Sequence, residues 1–389
     1  MTPRITPQNW NYPTTIRFGC GRINELGGIC RELGMSAPLL VTDPQLATLP
    51  PVQDALAACL KADLRTALYH DIQSNPLEHH VAAGVAVLRA GNHDGVIALG
   101  GGSALDAGKA IALMAGQTRP LFDFEDRADW WTRVDEAGMV PVAAVPTTAG
   151  TGSEVGRAAV ITDEQARIKK IIFHPRMLPE RVILDPQVTL GMPPALTAAV
   201  GMDALSHALE AFCSPVFHPM AQGIAVEAMR LIHEHLESAF KDGDNIEARA
   251  HMQVAATMGA TAFQKGLGAM HAMSHPCGAV LGTHHGLTNA VVMPYVLIFN
   301  RAAVAPQMDY LARTLGLSKP GFAGVLAWIM ELREMLNIPT TLATLGVQVE
   351  HIEQLAPMAV ADPSAATNPV ELTLGDAKRL FKDAIKGRL

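Results

Sequence analysis

The sequence predicts an α/β N-terminal domain built around a parallel sheet, followed by an all-helical C-terminal domain. From Arg17 to about Asp185, short apolar or β-branched runs alternate with longer helical stretches, as expected of βαβ units. Beyond Asp185, long Ala-, Met- and Leu-rich segments with helical spacing replace the strand-like runs. We therefore expect an α/β domain over residues 1–186 and an all-α domain over residues 187–389.

Three apolar runs predict strands of the sheet, and two longer segments predict helices of the second half. The strands are expected at 37–42, 95–99 and 142–145, each ending in turn-forming residues. The helices are expected at 196–212 and 246–263. Three prolines, Pro186, Pro193 and Pro194, bracket a short connector into the first long helix, which places the boundary near Pro186.

Length, composition and charge indicate a folded globular protein that does not bind nucleic acid. The chain has 389 residues, of which 49% are hydrophobic, so it can bury a large core. Its net charge of -7 is modest, and its Lys and Arg are scattered rather than clustered into the basic stripe that phosphate backbones require. We expect no nucleic acid partner.

The cysteines and the apolar runs indicate a cytoplasmic protein. Its 5 cysteines are odd in number, widely spaced and without a CxxC pair, which predicts neither a disulfide framework nor a cysteine zinc site. The polar, proline-bearing start has no apolar signal region, and no apolar run approaches the roughly 20 residues that span a bilayer. We expect a reducing compartment and no membrane.

The strongest local motif is the run GGGSALD at 100–106, between a predicted strand and a helical run at 107–114. Glycines such as Gly101 and Gly102 let the backbone approach a pyrophosphate, and the helix N-terminus then offers free N–H groups. Ser103 and Asp106 also have the spacing of a capping box, so a well-capped helix is the alternative. Three successive glycines favour phosphate binding, and with it a Rossmann-like, dinucleotide-binding domain.

Two other segments are candidates for the same cofactor. Asp43 closes the first predicted strand, where a carboxylate can bind an adenosine ribose and repel a 2′-phosphate, which favours NAD over NADP. A solvent-facing turn before Pro44 is an equally good interpretation. The loop PTTAGTGSE at 146–154 supplies the hydroxyls of Thr147, Thr148 and Thr151, although by itself it reads as an ordinary hydroxyl-rich loop.

Histidines gather in the predicted helical half. Asp203 and His207 lie four residues apart, so a helix places both side chains on one face. The same spacing joins His271 to His275, and His284 and His285 follow just before Gly286. A lone helical histidine is more often a hydrogen-bonded core residue than a ligand, but several histidines with an aspartate predict a metal site. Such an ion would be a Lewis acid able to hold an alcohol oxygen.

These motifs together resemble the iron-containing (group III) alcohol dehydrogenases, whose relatives include lactaldehyde reductases and 1,3-propanediol dehydrogenases. The resemblance spans nearly the whole chain. GGGSALDAGKA is similar to the family's GGGSxxDxAK, and PTTAGTGSE to its second cofactor loop. GMDALSHALEAF and HAMSHPCGAVLGTHHGLTNA are similar to its two metal segments. The departures are small: Gly108 replaces the usual alanine, and Cys277 stands where leucine is common.

The resemblance implies roles for individual residues. It implies that the metal ligands are Asp203, His207, His271 and His285. His275 would then lie beside the nicotinamide and relay the alcohol proton, and Lys169 would contact the cofactor ribose. His284 is not expected to be a ligand, because the family's histidine directly precedes the glycine.

The resemblance also implies a fold, an activity and an assembly. The architecture would be that of the dehydroquinate synthase-like proteins, with the active site in the cleft between the domains and a homodimer or larger oligomer. The expected reaction is reversible hydride transfer between a small alcohol and NAD, with Fe²⁺ as the native metal, although Zn²⁺ fits the same ligands.

Two alternatives keep this fold and change the function. A dehydroquinate synthase-like lyase would need several basic residues near the histidine segments, and the sequence has no such cluster there. A non-catalytic nucleotide-binding protein is the other alternative, because bound metal can be retained to stabilise a fold.

Overall fold

The computed structural model describes residue 12 and residues 14–389. The described chain divides into two compact units, Tyr12–Gly191 and Met192–Leu389. The division falls a few residues beyond Pro186, and the extent predicted for each domain stays a prediction. The first eleven residues of the predicted α/β domain, with the polar start of the chain, lie outside the described residues.

A parallel sheet forms the centre of the first unit. Its six strands are β1 (Thr15–Phe18), β2 (Pro38–Val41), β3 (Ala67–Tyr69), β4 (Gly95–Gly100), β5 (Val142–Pro146) and β8 (Arg181–Leu184). Their order is β1-β8-β5-β4-β2-β3, and every neighbouring pair is parallel. The three strands predicted from apolar runs are β2, β4 and β5, which lie side by side. The predicted α/β fold with a Rossmann-like parallel sheet is confirmed.

Helices cover both faces of this sheet. They are α1 (Leu26–Glu32), α2 (Pro50–Lys61), α3 (Glu78–Ala90) and α4 (Gly102–Met114). Alternate residues of β4 enter two separate apolar clusters, with Val96 and Ala98 in one and Ile97 and Leu99 in the other. This alternation with both faces buried explains why the strand reads as a continuous apolar run.

An antiparallel hairpin stands beside the sheet and was not predicted. Its strands are β6 (Ala158–Asp163) and β7 (Ile168–Phe173), with Thr162 opposite Lys169. Three of the six residues of β7 are Lys169, Lys170 and the half-buried Ile171, a pattern that gives no clean alternation of apolar and polar side chains. Hydrophobic periodicity in the sequence therefore did not predict this hairpin.

The regular elements of Met192–Leu389 are all helices, as predicted. They are α5 (Pro194–Cys213), α6 (Pro219–Lys241), α7 (Ile246–Ala262), α8 (Ala269–Leu281), α9 (His285–Phe299), α10 (Arg301–Thr314), α11 (Gly321–Met335), α12 (Ile352–Ala361) and α13 (Leu374–Lys386), with short 3₁₀ turns between some of them. Every residue of α5 from Thr197 to Cys213 is buried. Polar side chains on α5 therefore point into the interior of this unit, where they need partners.

Among the described residues, no single helix is both long and apolar enough to cross a membrane. One consecutive pair, α9 with α10, meets the criteria of length and composition only when the two helices are taken together, and the pair is bent by 108°.

Candidate functional site

The predicted cofactor segments meet at one edge of the parallel sheet. In the register of the sheet, Val41 of β2 lies beside Ala98 of β4, and Gly100 of β4 lies beside Pro146 of β5. The carboxyl ends of these three parallel strands therefore lie at the same edge of the sheet. The N–H group of Thr147 donates to the carbonyl of Gly100 at 3.0 Å. Open parallel sheets bind ligands beyond this edge. The fold thus brings together the glycine turn (residues 100–102), Asp43 and the threonine loop (residues 146–154).

Glycine is required where the turn after β4 meets the threonine loop. A methyl group built on Gly102 would lie 2.5 Å from Oγ1 of Thr151, and one on Gly101 would lie 3.4 Å from Cγ2 of Thr148. Gly100 has a φ of 144°, which side-chain-bearing residues rarely adopt. Glycine is therefore needed at Gly101 and Gly102 because the threonine side chains pack against the turn, and at Gly100 because of its backbone conformation.

Ser103 and Asp106 do not form the capping box that their spacing allows. Helix α4 begins at Gly102 with Gly101 as its N-cap, and no side chain of the described residues caps it. The hydroxyl of Ser103 instead accepts a hydrogen bond from the N–H group of Asn75 at 3.3 Å. The first N–H groups of α4 are therefore available to an anion, as the phosphate-binding prediction requires.

Asp106 points into the protein and joins α4 to the threonine loop and the hairpin. Its carboxylate accepts hydrogen bonds from the hydroxyl of Ser153 and from the N–H group of Val160, the latter at 2.9 Å. Lys109 Nζ lies 3.3 Å from the same carboxylate and donates to the carbonyls of Ser153, at 2.9 Å, and Ala158. Burial lowers the pKa of Lys109, and the carboxylate of Asp106 opposes that shift. Asp106 thus positions the loop.

The buried pair gives a prediction for stability. We expect Lys109→Met to lower the free energy of unfolding by about 3–5 kcal/mol, because the carboxylate of Asp106 would lose its cation inside the protein. Urea unfolding measures the loss. The double variant Asp106→Asn with Lys109→Met removes both charges and should regain part of it. A single variant as stable as the wild type would contradict the structural role of the pair.

Asp43 forms a turn and also faces the glycine turn. Its Oδ1 accepts hydrogen bonds from the N–H groups of Gln45, at 2.9 Å, and Leu46, at 3.0 Å. A methyl group on Gly100 would lie 3.7 Å from Oδ2. The turn uses Oδ1 and leaves Oδ2 facing the glycine turn, so the turn and cofactor interpretations of Asp43 are compatible.

The four predicted metal ligands converge in the helical unit. Asp203 and His207 come from α5, His271 from α8, and His285 from the first position of α9. One ligand atom from each lies within 4.8 Å of every other, and the first three side chains are buried. Across residues 12 and 14–389, this is the only group of three or more histidine, cysteine or acidic side chains so arranged. His284 lies outside the group and is exposed.

The donor set fits a divalent ion. A carboxylate and three imidazoles without thiolates suit iron or zinc. Three of the four side chains are also held by neighbours. His271 Nδ1 lies 2.6 Å from Glu210, His285 Nδ1 lies 2.9 Å from the hydroxyl of Ser274, and Asn289 donates to Asp203 at 2.9 Å. With Nδ1 engaged in both histidines, Nε2 is the nitrogen that faces the other ligands.

His271 lies among several carboxylates that change its pKa. Burial lowers the pKa of an imidazole, but the hydrogen bond and charge of Glu210, together with Asp203 and Asp362, outweigh burial and raise the pKa of His271. A site with this concentration of negative charge attracts a cation.

His275 lies one turn from His271 and has a carboxylate partner. Its Nδ1 is 2.8 Å from Asp362 Oδ2, and its ring stacks on that of His285 with centroids 5.4 Å apart. Burial would raise the pKa of Asp362, but His275 and hydrogen bonds from Ser364 lower it below its usual value. Asp362 therefore orients the imidazole of His275 through Nδ1, so that Nε2 is the ring nitrogen that does not face this carboxylate.

Four residues of these sites were missed from the sequence: Lys109, Glu210, Asn289 and Asp362. Helical spacing was a usable signal for three of them, because Lys109 follows Asp106 by three residues, Glu210 follows His207 by three and Asn289 follows His285 by four. Asp362 is 87 residues from its partner, so nothing in the local pattern joins them.

Comparison with known proteins identifies the family. The profile described as iron-containing alcohol dehydrogenase matches residues 13–186, and the profile of the family's C-terminal region matches residues 197–385. The chain belongs to the iron-containing alcohol dehydrogenase family. The predicted family, fold class and metal-dependent oxidoreductase class are thereby confirmed, and the lyase and non-catalytic alternatives are not favoured.

Individual relatives cover nearly the full chain. A 4-hydroxybutyrate dehydrogenase of Cupriavidus necator is 37% identical, over 96% of this chain and 99% of its own length. An NAD-dependent methanol dehydrogenase of Bacillus methanolicus is 34% identical, over 97% of this chain and 100% of its own. The crystal structure of a 1,3-propanediol oxidoreductase superposes with a TM-score of 0.90 at 33% identity, covering 97% of this chain and 100% of that one. The family and its NAD-dependent member support the predicted iron and NAD.

Proposed function

We propose that this protein catalyses reversible hydride transfer between a small primary or secondary alcohol and NAD, with Fe²⁺ held by Asp203, His207, His271 and His285. The observation that carries the proposal is the convergence of these four side chains to within 4.8 Å of one another. Bound metal would supply Lewis acidity toward a substrate oxygen, and NAD would supply the hydride acceptor. Zn²⁺ suits the same donors.

The NAD site is proposed at the carboxyl edge of the parallel sheet. There Gly101, Gly102 and the first N–H groups of α4 would bind the pyrophosphate, with Ser103 beside them. Thr147, Thr148 and Thr151 would supply hydroxyls from the adjacent loop. Asp106 would act indirectly by holding that loop through Ser153. Lys169, on the hairpin that Asp106 also holds, would contact the cofactor ribose.

His275 is proposed as the residue that relays the alcohol proton. Asp362 fixes Nδ1 at 2.8 Å, so Nε2 is the atom that would take up or release that proton. The Nε2 atom can alternate between donor and acceptor without a change in ring orientation, because the second nitrogen remains held by the carboxylate.

Further proposals concern cellular context. A cytoplasmic location is supported by cysteines that are all free in the structure. A homodimer or larger oligomer is proposed from the resemblance alone. The domain extents 1–186 and 187–389 are proposed from the change of sequence pattern near Pro186, and the two family profiles meet in this part of the chain.

Metal removal tests the proposed reaction. The full-length protein is stripped with a chelator and assayed with NAD on a panel of short alcohols, diols, hydroxy acids and their aldehydes. We expect activity to disappear and to return with Fe²⁺ added under anaerobic conditions, or in part with Zn²⁺. Undiminished turnover by the fully stripped protein would contradict the proposal. The panel also identifies the substrate class, since the relatives named above act on different alcohols.

Cofactor choice gives a separate prediction at Asp43. Asp43→Asn keeps an oxygen for the turn with Gln45 and Leu46 but removes the negative charge. We expect the ratio of kcat/KM with NADP to that with NAD to rise on the order of tenfold, because repulsion of the 2′-phosphate is relieved. Steady-state kinetics with both cofactors measure this ratio. An unchanged ratio would show that Asp43 serves only the turn.

A further inference from the structure

Glu210 carries a buried carboxylate on which three hydrogen-bond donors converge. The N–H group of Met270 donates to Oε1 at 2.6 Å, and that of Gly268 donates to Oε2 at 2.9 Å. His271 Nδ1 lies 2.6 Å from Oε2. Glu210 is 4% exposed, so its charge is stabilised by these donors rather than by water.

Two of these donors, the N–H groups of Gly268 and Met270, lie at the N-terminus of α8, the helix that carries His271. Its N-cap, Gly268, has no side chain to cap the free N–H groups, and Glu210 caps them from α5. Asn368 completes the cap by accepting from the N–H group of Ala269 at 3.1 Å. A methyl group on Gly268 would lie 2.8 Å from both Glu210 and Asn368, so glycine allows both to approach.

The third donor, Nδ1 of His271, links this helix cap to the proposed metal centre. An ionised carboxylate only accepts hydrogen bonds, so His271 must carry its proton on Nδ1 and present the lone pair of Nε2 to the other predicted ligands. Asn289, which donates to Asp203, lies 3.3 Å from His271 Nε2, consistent with that orientation.

We propose that Glu210 is a positioning residue of the metal centre: one carboxylate fixes both the first turn of α8 and the tautomer of His271. The proposal rests on the metal-binding role of His271 proposed above. Glutamine cannot satisfy all three donors, because its amide NH₂ group must face at least one of them. If it faces His271, the proton moves to Nε2 and the lone pair is lost.

Metal affinity tests the proposal. The full-length protein is stripped, and its affinity for Zn²⁺ and Fe²⁺ is measured by competition with a chelating dye. We expect Glu210→Gln to bind either ion about 10–100-fold more weakly than the wild type. Asn368→Ala is the matched control: it removes a cap from the same helix end without touching His271, so it should lower the Tm of the stripped protein while metal affinity stays at the wild-type value.

Two outcomes would overturn the proposal. One is wild-type metal affinity in Glu210→Gln, and the other is an equal loss of affinity in Asn368→Ala, which would reduce the role of Glu210 to capping. If Glu210→Gln does not fold, Glu210→Asp replaces it. Its side chain is one methylene shorter, which should draw the carboxylate away from His271 Nδ1 and again lower metal affinity. The variant His271→Ala distinguishes failure of the proposed metal site from failure of the role of Glu210. Unchanged metal affinity in His271→Ala would refute the metal site itself. Lost affinity in His271→Ala, together with wild-type affinity in Glu210→Gln, would refute only the role of Glu210.

Discussion

Alanine at His271 or His285 is expected to lower kcat/KM for NAD-linked alcohol oxidation by about 10³-fold or more, because loss of metal assistance removes several kcal/mol of transition-state stabilisation. Each histidine contributes one of the four converging ligand atoms. Removing an imidazole leaves three donors, which should hold a divalent ion far less tightly. Metal content and kinetics are measured on the same preparation, so that loss of metal and loss of activity can be compared directly.

His284 provides the matched control for this experiment. It precedes His285 in sequence but is exposed and lies outside the ligand group. We expect His284→Ala to retain metal and activity. Full activity in His271→Ala and His285→Ala, with metal still bound, would remove both residues from the proposed mechanism.

Replacement of His275 should separate proton transfer from metal binding. We expect His275→Ala to lower kcat about 10²–10⁴-fold, the range typical of a general acid–base residue, while the protein keeps a full equivalent of metal. The structure predicts this separation because His275 stacks on His285 and is held by Asp362, yet it is not one of the four converging side chains.

A histidine on the other unit controls for loss of a histidine–carboxylate hydrogen bond. His79 lies 2.8 Å from Glu164 at the surface of the first unit, and His79→Ala should have no effect on kcat. A wild-type kcat in His275→Ala would contradict the proton-relay role. Loss of metal in that variant would instead make His275 a ligand.

The positions of three strands of the sheet were predictable because burial on both faces produces apolar runs in the sequence. Strands β2, β4 and β5 are covered on both faces and read as apolar runs, so their positions were predicted to within a residue or two. The half-buried strand β7 gave no such pattern, and the hairpin was missed. Helix α5 was predictable because its apolar residues continue through many turns.

The candidate metal residues were predictable for a different reason. Helical spacing alone places Asp203 beside His207 and predicts a shared face. It cannot show that α8 and α9 bring His271 and His285 to the same point, which required the resemblance to a family at the sequence level and then the structure. The hydrogen bond between His275 and Asp362 joins helix α8 to the start of a 3₁₀ turn, and such a contact depends on how helices pack.

At the glycine turn, the phosphate-binding role stays a prediction, whereas the capping alternative can be compared with the structure. Free backbone N–H groups were expected at the start of α4, and the structure has them. Ser103 and Asp106 have the spacing of a capping box, but their side chains bond instead to residues distant in sequence. Ser103 accepts from Asn75, and Asp106 accepts from Ser153. Side-chain partners of this kind are set by tertiary packing, which outweighs local propensity.

Anomalous diffraction from crystals of the iron-loaded protein tests the central claim most directly. Data collected on both sides of the iron absorption edge locate the ion without assuming its ligands. The structure predicts one strong iron peak in the helical unit, bounded by Asp203, His207, His271 and His285. An active, iron-loaded crystal whose peak lies away from these four side chains would contradict the account.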